Sequence, residues 1–128
     1  MTRTFWNGFG WVAQATFGLM VVMVFFFLRG YDEPPAGGSW FDGLIDLGLA
    51  LQFAVPHSTL LLPAVRRRLT TRIPSPMYGA FFCLAASLSL LLVVFCWRPI
   101  GGALWNLSGN ARTLAVGGYF GSWLALLY

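Results

Sequence analysis

The stretch QFAVPHSTLLLPAVRRRL, residues 52 to 69, carries the only histidine of the chain, His57, directly after a proline in an apolar run that ends in three arginines. An apolar run that stops at a proline and a basic cluster is the pattern of a helix leaving a bilayer. Composition extends that reading to the whole chain. Of 128 residues, 58% are hydrophobic and 9% charged, with a mean hydropathy of +0.72, whereas soluble domains carry roughly a quarter charged residues. So few charges cannot cover a water-facing surface, but lipid tolerates an apolar exterior on every spanning element. One membrane domain, residues 1–128, is expected.

Four apolar stretches approach the ~20 residues that a helix needs to cross the hydrocarbon. They run over residues 9–28, 40–62, 77–97 and 111–128. No β-barrel alternation or internal repeat competes with them, so the expected fold is an all-α bundle of about four transmembrane helices. The connection RGYDEPPAGGSW is polar and rich in proline and glycine, hence hydrated. PAVRRRLTTRIPSP opens on a proline suited to a first helical turn and closes on prolines that end one. It predicts a short basic helix at the interface between the second and third spans. The N-terminal run, beginning with one arginine, is too long for a signal-peptide core and is expected to be a retained first span.

The net charge of +4 rests on eight arginines with no lysine. Arg66, Arg67, Arg68 and Arg72 cluster beside a span, which marks topology and contact with lipid phosphates rather than nucleic-acid binding. With Arg3 they lie on one side of a four-span arrangement, against Arg29, Arg98 and Arg112 on the other. Basic residues favour the cytoplasm, so both termini are expected there, in a bacterial inner membrane. Asp32 and Glu33 fall on the opposite side. Trp6, Trp11, Trp40, Trp97 and Trp105 sit near span ends, where amphipathic rings prefer the headgroup zone.

Few residues offer chemistry. Cys83 and Cys96 are thirteen residues apart in one run, a helical separation of about 20 Å that forbids a disulfide. Their spacing matches no zinc pattern. Asp42, Asp46 and His57 are the ionisable groups of the second span, and such groups are costly in lipid and enriched in function. Asp46 and His57 share a helix face but lie about 16 Å apart along the axis, too far to act as a catalytic pair. Pro56 removes a backbone donor and frees a carbonyl one turn back, near Gln52. His57 and Ser58 then face a pocket, or His57 ligates a haem, or a neighbouring carbonyl satisfies the imidazole. Gly117 and Gly121 stand at GxxxG spacing with Gly118 and Ser122 beside them, a face on which helix backbones approach closely. Gly79, Cys83 and Ser87 repeat the device in the third span. The tripeptide NLS at Asn106 carries no weight as a glycosylation acceptor.

The segment from His57 to Ile100 resembles the family containing the bacterial methanethiol S-methyltransferases and the NnrU-domain proteins. The features that carry the resemblance are a His-Ser pair closing a span, a basic short helix, a proline-punctuated turn into Met77-Tyr78, a small-residue-rich span and the terminal WRPI. The steps Leu62-Pro63 and Met77-Tyr78-Gly79 depart from the methyltransferase pattern. The resemblance implies a membrane enzyme that binds S-adenosylmethionine through a C-terminal part with a further histidine. That part lies outside this chain, so S-adenosylmethionine is expected only together with a partner chain. NnrU-related isomerases imply instead a haem on His57. Three expectations follow. The first is a non-catalytic subunit, the family's front half packed against other integral membrane subunits in an energy-transducing or pigment-bearing complex. The second is one half of a thiol S-methyltransferase, and the third is a haem protein using His57.

Overall fold

The computed structural model describes residues 3–29, 37–98, 100 and 107–127. Its elements are helices α1 (Arg3–Arg29), α2 (Trp40–Leu61), α3 (Pro63–Leu69), α4 (Tyr78–Cys96) and α5 (Gly109–Leu127), with a single 3₁₀ turn at Ser75–Met77 before α4. No strand occurs among the described residues.

Three of the described helical segments are long and apolar enough to cross a bilayer, at Phe5–Arg29, Trp40–Leu61 and Ser75–Cys96. This corrects the expected number of four. The fourth stretch does form a helix, α5, but Asn110, Arg112, Thr113, Gly117, Gly118, Gly121 and Ser122 dilute it below the apolarity of a span. The small residues that invite close packing are the ones that weaken its preference for hydrocarbon.

Local chemistry explains where α2 begins and ends. Ser39 stands in extended backbone and its Oγ accepts from the Phe41 N–H at 3.3 Å, while the Asp42 carboxylate accepts from the Ser39 N–H at 2.8 Å. This reciprocal cap satisfies donors that a helix start leaves bare. At the other end Leu62 turns to extended backbone (φ −66°, ψ 130°) before Pro63 opens α3. Proline disfavours the helical region for the residue before it and supplies no N–H for the Thr59 carbonyl. The Leu62 N–H takes that carbonyl instead, at 3.1 Å.

Pack order follows burial. Helix α4 lies against both α1 and α2, and it supplies Tyr78, Ser87, Leu91 and Val93 to the buried set, beside Ala13 of α1 and Asp46 of α2. Ser87 is 1% and Ala13 3% exposed. Small side chains at such positions let backbones approach, which is how helices associate where lipid removes the hydrophobic drive between them. Outward faces carry large apolar residues such as Trp11, Phe26, Leu47 and Phe95, a distribution suited to hydrocarbon.

Helix α5 attaches to α1 by aromatic contacts. The Tyr119 hydroxyl donates to the Phe25 carbonyl at 2.7 Å, and the rings of Tyr119 and Trp123 lie 5.6 and 5.4 Å from that of Phe25. Among the described residues, the glycine face of α5 makes no such contact. A Cβ added at Gly117, Gly118 or Gly121 would meet nothing within 4 Å, and Ser122 is exposed. In α4, Ser87 is buried and Cys83 half-buried, whereas a Cβ at Gly79 would also meet open space.

Candidate functional site at the His57 end of α2

Pro56 does not break α2, which runs on to Leu61. It does strip the Gln52 carbonyl of its helical donor, and α4 supplies the replacement. The Ser89 Oγ donates to the Gln52 carbonyl at 3.4 Å and accepts from the Gln52 Nε2 at 2.6 Å. One hydroxyl thereby closes a ring of hydrogen bonds that sews the proline turn to the neighbouring helix. Ser/Thr side chains on adjacent helices are the usual means of satisfying such freed groups in membranes.

One residue further on, the His57 ring stacks on Phe53 of its own helix, centroids 5.2 Å apart and planes at 28°. Phe82 of α4 lies at 5.2 Å and 44°. The imidazole Nδ1 is buried and has no hydrogen-bond partner. Of the alternatives for this histidine, satisfaction by a neighbouring carbonyl therefore does not hold at Nδ1. Leaving a buried polar atom unpaired costs about 1–3 kcal/mol. Ser58, its companion in the sequence, is exposed.

Tyr78 closes the lower side of this region. Its hydroxyl donates to the Leu60 carbonyl at 2.6 Å, taking an acceptor left bare at the end of α2. The Arg66 guanidinium lies 5.5 Å from the Tyr78 ring centroid, a cation–π contact worth about 0.5–1 kcal/mol when exposed. Arg66, Arg67, Arg68 and Arg72 are all exposed, as a basic interfacial helix requires. Ser89 is not singled out in the sequence, and Tyr78 figures there only in the turn that precedes α4. The signal for Gln52 was the freed carbonyl, while the other two act across helices and leave no local trace.

The WRPI signature lies at the other end of the α2–α4 pair. The Arg98 N–H donates to the Asp46 carboxylate at 2.8 Å, and the Arg98 guanidinium stands 3.6 Å from Asp42. Ile100 folds over Gly43, where an added Cβ would lie 2.7 Å from the Ile100 Cδ1. The two acidic residues of the span thus hold the exit of α4 and take no part in the His57 region. Trp97 packs edge-on to Phe27 of α1 at 6.1 Å. Asp32, Glu33, Trp105 and Asn106 lie outside the described residues.

These residues can be tested against the groups that the resemblance implies. A ligating imidazole binds iron through one nitrogen while the other donates to an acceptor that fixes the ring. Nδ1 of His57 has no such acceptor, and Phe53 and Phe82 lie against the ring, so the site does not fit a haem ligand. S-adenosylmethionine carries a sulfonium, an amino-acid head and an adenine, and calls for convergent polar groups in a cavity. Among the described residues Asp42 and Asp46 are engaged elsewhere. A cavity of about 320 Å³ between α1 and α5 is lined only by apolar side chains, Phe25, Phe120 and Trp123 among them. The described residues do not fit that group either. They also contain no cluster of three or more metal-ligating side chains, and both cysteines are free thiols.

No family model and no solved structure matches the chain. Curated proteins do. The chain is 36% identical over 81 residues to methanethiol S-methyltransferase 2 of Bradyrhizobium diazoefficiens, covering 63% of this chain and 31% of that protein. It is 41% identical over 63 residues to the methanethiol S-methyltransferase of Crocosphaera subtropica, covering 49% and 25%. It is 30% identical over 80 residues to that of Pseudomonas deceptionensis, covering 62% and 30%. The matched stretch spans under a third of each of these relatives. A helical, membrane-spanning chain with partial likeness to bacterial methanethiol S-methyltransferases is thus the identity that the comparisons support.

Proposed function

We propose that this chain forms the membrane-embedded, thiol-side part of an S-adenosylmethionine-dependent thiol S-methyltransferase, with the donor's seat supplied from outside the described residues. The observation that carries this reading is the coincidence of two facts: similarity to methanethiol S-methyltransferases, and a buried imidazole nitrogen left unpaired between aromatic rings within the resembling segment. Most buried polar groups are paired, and each exception calls for an explanation; the Ser87 Oγ in the α4 interface is the other one among the described residues. His57 faces the reaction region in this reading, and Phe53 and Phe82 give a small apolar thiol its surroundings. The His57 end lies at the cytoplasmic surface, where the arginine cluster places it, with the N-terminus on the same side, in a bacterial inner membrane.

The test is a chimera. The matched stretch of the Bradyrhizobium diazoefficiens relative is replaced by its counterpart from this chain, and transfer of labelled methyl from S-adenosylmethionine to methanethiol is measured in membranes. Activity in the chimera, lost in its His57→Ala variant and nil for this chain alone, is the expected result. A chimera that inserts and folds but transfers no methyl group defeats the proposal.

A second reading, that of a non-catalytic subunit packed in a larger complex, draws on α5. Among the described residues nothing covers its Gly117, Gly118 and Gly121 face, which a helix of another membrane subunit would fit. Co-purification of a partner that Gly117→Leu releases, with no activity in the chimera, favours that reading.

A further inference from the structure

The basic segment after α2 divides its arginines between two tasks, and the division rests on where its backbone and side-chain acceptors go. The last four carbonyls of α3, the customary partners of cationic side chains in a final helical turn, are all taken. The Thr70 N–H takes that of Arg66 at 2.9 Å, the Thr70 hydroxyl that of Arg67 at 3.1 Å, and the Thr71 hydroxyl that of Arg68 at 2.7 Å. The Ile73 N–H takes that of Leu69 at 2.8 Å.

Val65, Leu69 and Ile73 are half-buried, while Arg67, Arg68 and Arg72 are exposed, so the segment turns an apolar stripe inward and its guanidinium groups outward. Arg66 alone is engaged, over the Tyr78 ring. Among the described residues the carboxylates are Asp42 and Asp46, both committed at the opposite end of α2. Among the described residues, the guanidinium groups of Arg67, Arg68 and Arg72 have neither a carboxylate nor a carbonyl. They follow the end of a span, where Leu61 and Leu62 expose apolar side chains.

We propose that Arg67, Arg68 and Arg72 form a binding site for the headgroup of an anionic phospholipid, and that Arg66 is a positioning residue holding α3 on Tyr78. Charge complementarity selects the ligand: guanidinium groups bind phosphate oxygens in forked pairs, and an anionic leaflet presents such oxygens at this depth. The lipid's acyl chains lie along the apolar surface of Leu61 and Leu62. This inference does not depend on the methyltransferase reading.

The experiment uses the full chain purified in neutral detergent and native mass spectrometry of retained lipid, with phosphatidylglycerol and phosphatidylcholine of identical acyl chains. Selective retention of phosphatidylglycerol is expected. The triple variant Arg67→Gln, Arg68→Gln, Arg72→Gln loses it by about 100-fold, from ~1 kcal/mol per arginine near an anionic surface. The triple Arg→Lys variant stays within about tenfold of the parent, because an ammonium keeps the charge without the fork. Arg66→Gln keeps selectivity for the anionic lipid. Equal retention of the two lipids overturns the proposal, as does displacement of phosphatidylglycerol by equimolar glycerol phosphate, which would make free phosphate the ligand. Loss with Arg66→Gln equal to that of the triple variant overturns the division of roles. Matched helical content by circular dichroism guards against a misfolded variant, and if the triple variant fails that check, the single Arg68→Gln variant, expected to lose about fivefold, decides in its place.

Discussion

The two ends of the α2–α4 pair are built differently. At the Trp40 end, the polar groups of the helix start and exit answer one another: Ser39 with Asp42, Asp46 with the Arg98 N–H, Asp42 with the Arg98 guanidinium. At the His57 end, Ser89 and Tyr78 satisfy the carbonyls that proline and helix termination leave bare, yet Nδ1 of His57 stays unpaired. At the first end each of these polar groups has a partner. The second tolerates an unpaired buried atom, and such departures from local consistency mark places where stability is not the only requirement.

Substitutions can break or sharpen that contrast. Asp46→Ala has the largest expected effect, because it leaves a part-buried Arg98 N–H without its charged acceptor, a loss of about 2–3 kcal/mol in SDS-titrated unfolding followed by circular dichroism. Asp46→Asn keeps an acceptor oxygen and recovers most of that stability. His57→Phe works in the opposite direction. It removes the unpaired nitrogen and keeps ring packing against Phe53 and Phe82, so a gain of about 1–2 kcal/mol is expected in the same titration. A loss of stability there would erase the contrast between the ends. Tyr78→Phe deletes the donor to the Leu60 carbonyl and costs about 1 kcal/mol, with the environment of Trp40 and Trp97, at the opposite end of the pair, unchanged if only the His57 end loosens. Smallest of all, Gly117→Leu raises the stability of the isolated chain by no more than about 0.8 kcal/mol, the helix propensity gained over glycine at an open position.

Much of this was legible in the sequence, and the pattern of success is physical. Helix existence followed from apolar runs, because hydrocarbon leaves no alternative way to satisfy a backbone. The short basic helix followed from Pro63 and the arginines, and the bare carbonyl at Gln52 from Pro56. The chemistry that fills it did not, since Ser89 lies 37 positions away in the chain. Asp46 was read as a cost, whereas its partner is a backbone N–H that no side-chain pattern announces. In the sequence the length of its apolar stretch makes α5 a span; its polar and small residues tell the other way. His57 stood out by type and position, but only the three-dimensional arrangement shows that its Nδ1 lacks a partner.

The ring of hydrogen bonds at Gln52 and Ser89 also governs how the protein meets bilayers of different thickness. A slip of α4 along α2 by one turn would carry the hydroxyl about 5.4 Å from the carbonyl it serves, exposing that oxygen to hydrocarbon. The pair is locked in register, so a thinner or thicker membrane must be met by tilting both helices together.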